Sequence, residues 1–345
     1  MNSRNIWHEL NLLSRVGVGI APIAADLAGL LRRLTGADAA ALFWLDGQGL
    51  PEGFFHEDSP PAVQDVFQNE FERLFVGAGE INVFALAQRR GRPIGHLLRP
   101  DADYFRSNTY NLLVRASGHH HTLDLRVDVD GRTRAVVLLF RQPGTAFDDA
   151  EADVLRRAAP YLEQAIEKSQ PPDDWHARTE RTGHLLLDAS ARRVLMMDAE
   201  ATAILREANL RGLGLRQQAR LETPPDFLSR LDVHSGHPLR LPIPGGALVA
   251  AARMLRAPDG VAPDAILVSL NRVRPQRMEV VRRVLSLKLS PLQREIALLA
   301  GLGHPRSDCG TVIGVSAEAL KKHLRAVFAA TGARDWDSLA GALGG

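Results

Sequence analysis

Near the end of the chain, SAEALKKHLRAVFAATGAR (residues 316–334) places Lys321, Lys322 and Arg325 close together. On a helix, positions four apart share a face, so Lys321 and Arg325 would stack with Lys322 beside them. Cations in this arrangement can neutralise phosphates and donate to guanine O6 and N7. The same cluster taken alone is more often a solvated helix face. Leu320, Leu324, Val327 and Phe328 recur at helical spacing and supply the buried stripe such a helix needs. From residue 272 onward there are 12 Lys or Arg against 6 Asp or Glu, although the whole chain of 345 residues carries only +2. The positive charge is thus local, which argues against a general polyanion binder.

The neighbouring elements must hold that cluster in place. LSPLQREIALLAGL begins with Ser290 as an N-cap, Pro291 at the first helical position and Gln293 closing a capping box. A second short helix starts near Pro305, and Gly314-Val315-Ser316 makes a tight turn from which Ser316 caps the third helix. Short helices joined by a glycine turn, the second bearing clustered cations, have the geometry that enters a major groove.

The stretch at about 285–343 resembles the four-helix DNA-binding module of the LuxR family of transcription regulators. The resemblance rests on Leu289, Pro291, Arg294, Glu295, Leu299, Gly303, Gly314, Ser316, Lys321, His323, Leu324, Phe328, Gly332 and Arg334 in unbroken register. It implies that the third helix is the recognition helix, with Lys321, Lys322 and Arg325 toward base edges and neighbours on phosphates. The DNA-contacting set expected on this resemblance is Arg306, Ser307, Ser316, Glu318, Lys321, Lys322, His323, Arg325 and Arg334. Ala319 stands where the family usually has threonine, and His304, Cys309 and Thr331 replace usually apolar core residues. Trp336, Leu339, Ala340 and Leu343 in the fourth helix are candidates for part of a dimer interface.

Upstream, residues 1–168 open with a helical pattern from Ile20 to Leu34 and continue with hairpin signals at Asp46-Gly47 and Asp130-Gly131. They close with a helix capped by Asp148 and Glu151, with a kink expected at Pro160. This layout resembles the GAF sensor domains. SQPPDDWHARTERTG (169–183) reads as a polar linker. Residues 184–273 give two strands entering a helix and later strand-like runs separated by APDGVAP, which resembles a PAS domain, with Asp198 where that family often has asparagine. The fold class expected is therefore multidomain α+β: a GAF-like α/β sensor, a PAS-like α/β middle domain, and an all-α four-helix LuxR-type helix-turn-helix domain over 274–345.

Other candidate chemistry is sparse. Phe43, Trp44, Phe54, Phe55, Tyr104 and Tyr110 could line a ligand cavity or form plain core. His119-His120-His121 invites a metal reading, but on a strand only His119 and His121 would share a face and no third ligand is spaced to help. Cys309, the sole cysteine, excludes an internal disulfide and suits a small core position. With no nucleophile motif, phosphate loop, zinc pair or convincing catalytic dyad, no enzyme, metal or cofactor is expected. A phospho-accepting receiver and an acyl-homoserine-lactone pocket are also not matched by the residues at the start of the chain. The N-terminus lacks a signal-peptide pattern and no run of about 18 apolar residues occurs, so a cytoplasmic protein without membrane contact is expected. The function these features imply is a sequence-specific transcription regulator whose N-terminal domains sense a small molecule or partner. Its expected partners are double-stranded operator DNA, a second copy in a homodimer, RNA polymerase and an unidentified effector. An adaptor that binds only proteins is the alternative.

Overall fold

The computed structural model describes residues 3–77, 79–171, 175, 177–191, 193–208, 226–233, 236–256 and 263–344. The first region contains α1 (Ser3–Ser14), α2 (Ala24–Thr35), β1 (Ala39–Leu45), β2 (Pro51–His56), α3 (Pro61–Asn69), α4 (Phe71–Leu74) and α5 (Val83–Gln88). After short helical turns at 104–117 come β3 (His121–Val129), β4 (Arg132–Arg141) and α6 (Asp149–Glu167). Its sheet is antiparallel in the order β2-β1-β4-β3. Both faces are covered, and every residue of β1 is buried. The two-residue period sends Ala40, Leu42 and Trp44 to the face under α1, α2 and α6, and Ala39, Ala41 and Phe43 to the other.

Local chemistry explains most of these boundaries. Asp130 and Gly131 take φ of 51° and 71°, which gives the tight turn between β3 and β4 its required hand. The first hairpin differs from expectation: Asp46 Oδ1 accepts from Gln48 N and Leu50 N at 2.8 and 3.0 Å, and Gly49, not Gly47, takes the positive φ. Asp148 and Glu151 form the expected capping box at α6, which continues through Pro160 as one helix. Helix α1 was not signalled in the sequence. The pattern beginning at Ile20 becomes helical only at Ala24, since Gly17 and Gly19, at φ 80° and 79°, turn the buried segment between α1 and α2.

The second region comprises β5 (Ala177–Asp188), β6 (Val194–Met197), α7 (Ala199–Ala208), a short turn at Asp226–Arg230, β7 (Leu239–Ile243), β8 (Gly246–Leu255) and β9 (Ala265–Pro275). The antiparallel order is β6-β5-β9-β8-β7. Strand β5 begins inside the stretch expected to be a linker, because Ala177 to Thr182 pair with β9 from Pro275 back to Asn271. Trp175, also in that stretch, is fully buried and donates from Nε1 to Gln170 O at 3.0 Å. Helix α7 lies so close on β5 that a Cβ at Gly183 would sit 2.2 Å from Ala201 N. Asp198 caps it, accepting from Ala201 N at 2.6 Å and from His184 N at 2.9 Å. Most of the APDGVAP turn lies outside the described residues.

Strand β9 runs directly into a helical region: α8 (Gln276–Ser286), α9 (Pro291–Gly301), α10 (Arg306–Ile313), α11 (Ala317–Thr331) and α12 (Trp336–Gly344). The fold is thus mixed α+β, with two antiparallel sheets and a C-terminal helical region. One continuous core joins α1, α2, α6 and the inner face of the first sheet to α8, α9, α11 and α12. Polar contacts cross the same seam. Glu295 on α9 accepts from Asn11 Nδ2 at 3.2 Å and from Arg15 Nη1 at 3.3 Å, both on the α1 side. Ser14 in turn donates to Gln164 Oε1 of α6 at 2.7 Å. Among the described residues no helix is long and apolar enough to cross a membrane.

Candidate nucleic-acid interface and ligand cavity

Helix α10 ends at Gly314, whose φ of 74° supplies the left-handed cap that a side chain would resist. Val315 N donates back to Gly310 O at 2.9 Å, and Ser316 Oγ accepts from Ala319 N at 3.2 Å to start α11. Ahead of this pair, Ser290 N donates to Gln293 Oε1 at 2.9 Å at the head of α9, as the capping pattern requires. Leu320, Leu324 and Val327 are buried, and Phe328 packs partly against them. Lys321, Lys322 and Arg325 are exposed on the other side together with Ser316 and Glu318. With about 100° between successive helical residues, the three cations occupy roughly 100° of arc centred away from the core.

Arg306 and Ser307, exposed at the start of α10, border a groove that continues past Thr311 to Ala317 at the head of α11. Arg334 is exposed just beyond Gly332, whereas His323 is half-buried. The nine expected DNA-contacting residues therefore lie on α10, its turn, α11 and the residues just after it, with His323 the least accessible of the polar ones.

Around this module two expectations need correction and one holds. His304 is exposed, so it does not take a core position; its carbonyl accepts from Trp336 Nε1 at 2.9 Å. Cys309 is fully buried and its thiol is pushed up to about 11, first by burial and then by neighbouring Asp308, as a packed residue's would be. Leu339 and Leu343 are buried within their own chain, where α12 packs on α8 and α9, so the fourth-helix stripe is largely consumed internally.

The second candidate site is a cavity of about 70 Å³ on the outer face of the first sheet. Phe43 on β1 and its cross-strand partner Phe54 on β2 stack at 5.6 Å, and Phe67 of α3 meets both edge-on at 5.7 and 5.3 Å. Tyr104, His56, Ser117, Thr122, Leu138 and Phe140 complete much of the wall. Tyr104 is 1% exposed and Thr122 3%. Burial pushes the Tyr104 phenol up to about 12, and the nearby Asp124 and Glu80 carboxylates act in the same direction. The Thr122 hydroxyl beside it pulls the other way, yet neither hydroxyl makes a hydrogen bond of ordinary geometry, and Ser117 Oγ is likewise unpartnered.

Histidines flank this wall without forming a metal centre. His56 Nδ1 accepts from Asp58 N at 3.2 Å, which leaves the proton of the neutral ring on Nε2. Burial, followed by the neighbouring His119, lowers the His56 pKa to about 4. His119 stacks on Phe140 at 5.3 Å, and burial lowers it as well. His120 bonds instead with Tyr110 Oη at 2.5 Å. Only His121 of the three lies within β3, so the alternating-strand geometry expected for the triplet does not apply. Among the described residues no group of three metal-ligating side chains comes together.

Of the six aromatics expected at a cavity, Phe43, Phe54 and Tyr104 line it. Trp44 and Phe55 belong to the opposite face of the sheet, and Tyr110 stands behind the wall, held by His120. Strand parity carries this distinction: Phe43 and Trp44 are adjacent and must point apart. The same parity was the signal for Phe140, which pairs with Ala39 on the Phe43 face. Thr122, opposite Phe140, and His56, two residues beyond Phe54, follow the same parity, whereas Ser117 lies off the strands and had no comparable signature.

No protein-family model and no curated protein sequence matches the chain. Among solved structures it is similar to the sensor region of a sensor histidine kinase, with 14% identity, 45% of this chain covered and a TM-score of 0.19; the chain spans 63% of that structure's length. It is also similar to PelD from Pseudomonas aeruginosa PAO1 from residue 158 onward, with 14% identity, coverage of 81% of this chain and 84% of that one, and a TM-score of 0.27. The DhaR(N)–DhaL complex from E. coli gives 13% identity, 78% and 87% coverage and a TM-score of 0.23. At TM-scores this low, the functional reading rests on the sites themselves.

Proposed function

We propose that this protein is a sequence-specific DNA-binding transcription regulator. In this reading α9 to α12 form a LuxR-type module that α11 docks into the major groove, and the first region is a GAF-like sensor. The middle sheet, in which two strands enter a helix and three more follow, is its PAS-like companion. The observation that carries the reading is the exposed set Lys321, Lys322 and Arg325 on one side of a helix whose other side is core, preceded by a glycine turn. Among the described residues no carboxylate is paired with these cations. Phosphates and guanine edges would meet them at little desolvation cost.

The regulator would act without catalysis of its own. A homodimer reading paired half-sites fits the module, with RNA polymerase as a further contact, although Leu339 and Leu343 cannot supply that dimer's interface. Effector control would pass along contacts already present, from the first sheet to α6, from α6 through Gln164 and Ser14 to α1, and from α1 to Glu295 on α9. Selection of bound sequences from random duplex DNA at two salt concentrations tests the reading, with Lys321→Glu/Arg325→Glu alongside. An enriched two-fold-symmetric site that the double variant loses while remaining folded is the expected result. Equal operator affinity in the variant would remove α11 from the interface.

A further inference from the structure

The cavity on the outer face of the first sheet has a composition that restricts what could occupy it. None of its lining residues is Asp, Glu, Lys or Arg, and its walls are mainly aromatic and aliphatic. An ion placed there would lose its hydration without gaining a counter-charge. An anion fares worst, because the charged groups behind Tyr104 are the carboxylates of Asp124 and Glu80.

The polar part of the wall is equally particular. Tyr104 Oη and Thr122 Oγ1 belong to side chains that are 1% and 3% exposed; the two hydroxyls lie near each other without the geometry of an ordinary hydrogen bond, and neither has another partner in the protein. Leaving a buried hydroxyl unpaired costs about 1–3 kcal/mol. Of the other polar side chains that border the cavity, Ser117 Oγ is also unpartnered, whereas Asn82 is satisfied: it caps α5, accepting from Phe84 N at 3.0 Å and Ala85 N at 3.3 Å, and donates to Phe75 O at 2.7 Å. The hydroxyls of Tyr104 and Thr122 are the more deeply buried of the unpartnered groups on this wall. They sit beside each other, so one oxygen could bond with both.

We propose that this cavity binds an uncharged molecule the size of a single aromatic ring, bearing one hydroxyl or carbonyl oxygen that Tyr104 and Thr122 engage. The ring lies against Phe43, Phe54, Phe67 and Phe140, and the oxygen points toward the two hydroxyls. The volume agrees: one water requires about 10–15 Å³ of such space, so the cavity's volume of about 70 Å³ holds about five waters or one small ring. A larger bicyclic or nucleotide-like ligand does not fit. This inference rests on reading the first region as the sensing region, but its test does not use DNA.

Phenol is the probe, with benzoate and tetramethylammonium as charged counterparts of similar bulk, titrated calorimetrically into the full-length protein. Saturable binding of phenol and at least about tenfold weaker binding of both ions is expected. Tyr104→Phe should weaken phenol by about five- to tenfold, the cost of one hydrogen bond, and Thr122→Val should do the same. In the same variants the unliganded protein should melt no lower than the parent, since each loses an unpaired buried hydroxyl. That opposition of signs would not arise if the hydroxyls served only to pack the wall. Absence of phenol binding, binding of benzoate or tetramethylammonium as tight as that of phenol, or phenol affinity unchanged in both variants would overturn the proposal. If phenol binds as described but DNA selection yields no site, the ligand assignment stands and the regulator reading falls.

Discussion

The exposed face of α11 and the cavity each hold polar groups without protein partners, and the physical meaning is opposite in the two places. Lys321, Lys322 and Arg325 are in water, where an unpaired cation is well solvated and its presence costs the fold almost nothing. Tyr104 and Thr122 are out of water, and each unpaired hydroxyl weighs against the folded state. Exposed groups can thus be changed for function alone. Buried ones link function to stability, so a ligand that satisfies them stabilises the protein it binds.

The comparison breaks most readily within α11 itself. Leu324→Ala, on the core side of the same helix, should cost about 2–5 kcal/mol in urea unfolding. Charge reversal at Lys321 and Arg325 should stay within about 0.5 kcal/mol of the parent. A loss of stability on charge reversal as large as that of Leu324→Ala would mean that the cationic face is structural.

Acid should act through buried imidazoles and not through the surface cations. Burial holds His56 at about 4, and His8 is also held at about 4 by burial and then by Arg294 and Arg15, despite Glu295 Oε1 lying 4.0 Å away. The unfolded chain takes these protons first, so their contribution is whole above about pH 6.5 and drains away as pH falls toward 4. Within that window each histidine should remove on the order of 1 kcal/mol per pH unit, and His8→Gln should flatten the decline. A pH-independent unfolding midpoint between 7 and 5 would contradict the burial of both rings.

Smaller effects sharpen the contrast. Ser316→Ala should cost about 1 kcal/mol by removing the cap of α11, measurable as a lowered melting temperature. Lys322→Ala should leave the melting temperature unchanged, while the slope of log affinity for DNA against log salt becomes shallower by about 0.9 if the side chain meets a phosphate. An unchanged slope would take Lys322 off the phosphates.

Features set by a few neighbouring residues were legible in the sequence. The caps at Asp148, Ser290 and Ser316, the Asp130-Gly131 turn and the buried stripe of α11 all appear where their chemistry places them. Features that depend on distant partners were not. Strand β7 contains Pro242 and was passed over, yet it lies at a sheet edge, where a missing N–H is tolerated. The exposed first half of β5 looked like linker because its polar residues are held by β9 backbone and by ion pairs such as Glu180 with Arg272 and Arg274. The cavity was half legible: aromatic content suggested it, strand parity sorts Phe43 from Trp44 and sets Thr122 opposite Phe140, but Tyr104 and Ser117 line it only because the segment at 104–117 packs against the sheet.

The bridge from α1 to Glu295 also bears on how the molecule is made. Asn11 and Glu295 are separated by 284 positions, so a chain emerging from the ribosome presents one partner long before the other. At about 5–20 residues per second, α1 waits roughly a quarter of a minute to a minute for α9. Until then its Asn11 and Arg15 side chains lack their carboxylate, and the core that joins the two ends of the chain cannot close. Newly made protein would therefore complete the packing of its first region only once the helical region from α8 to α12 has been made.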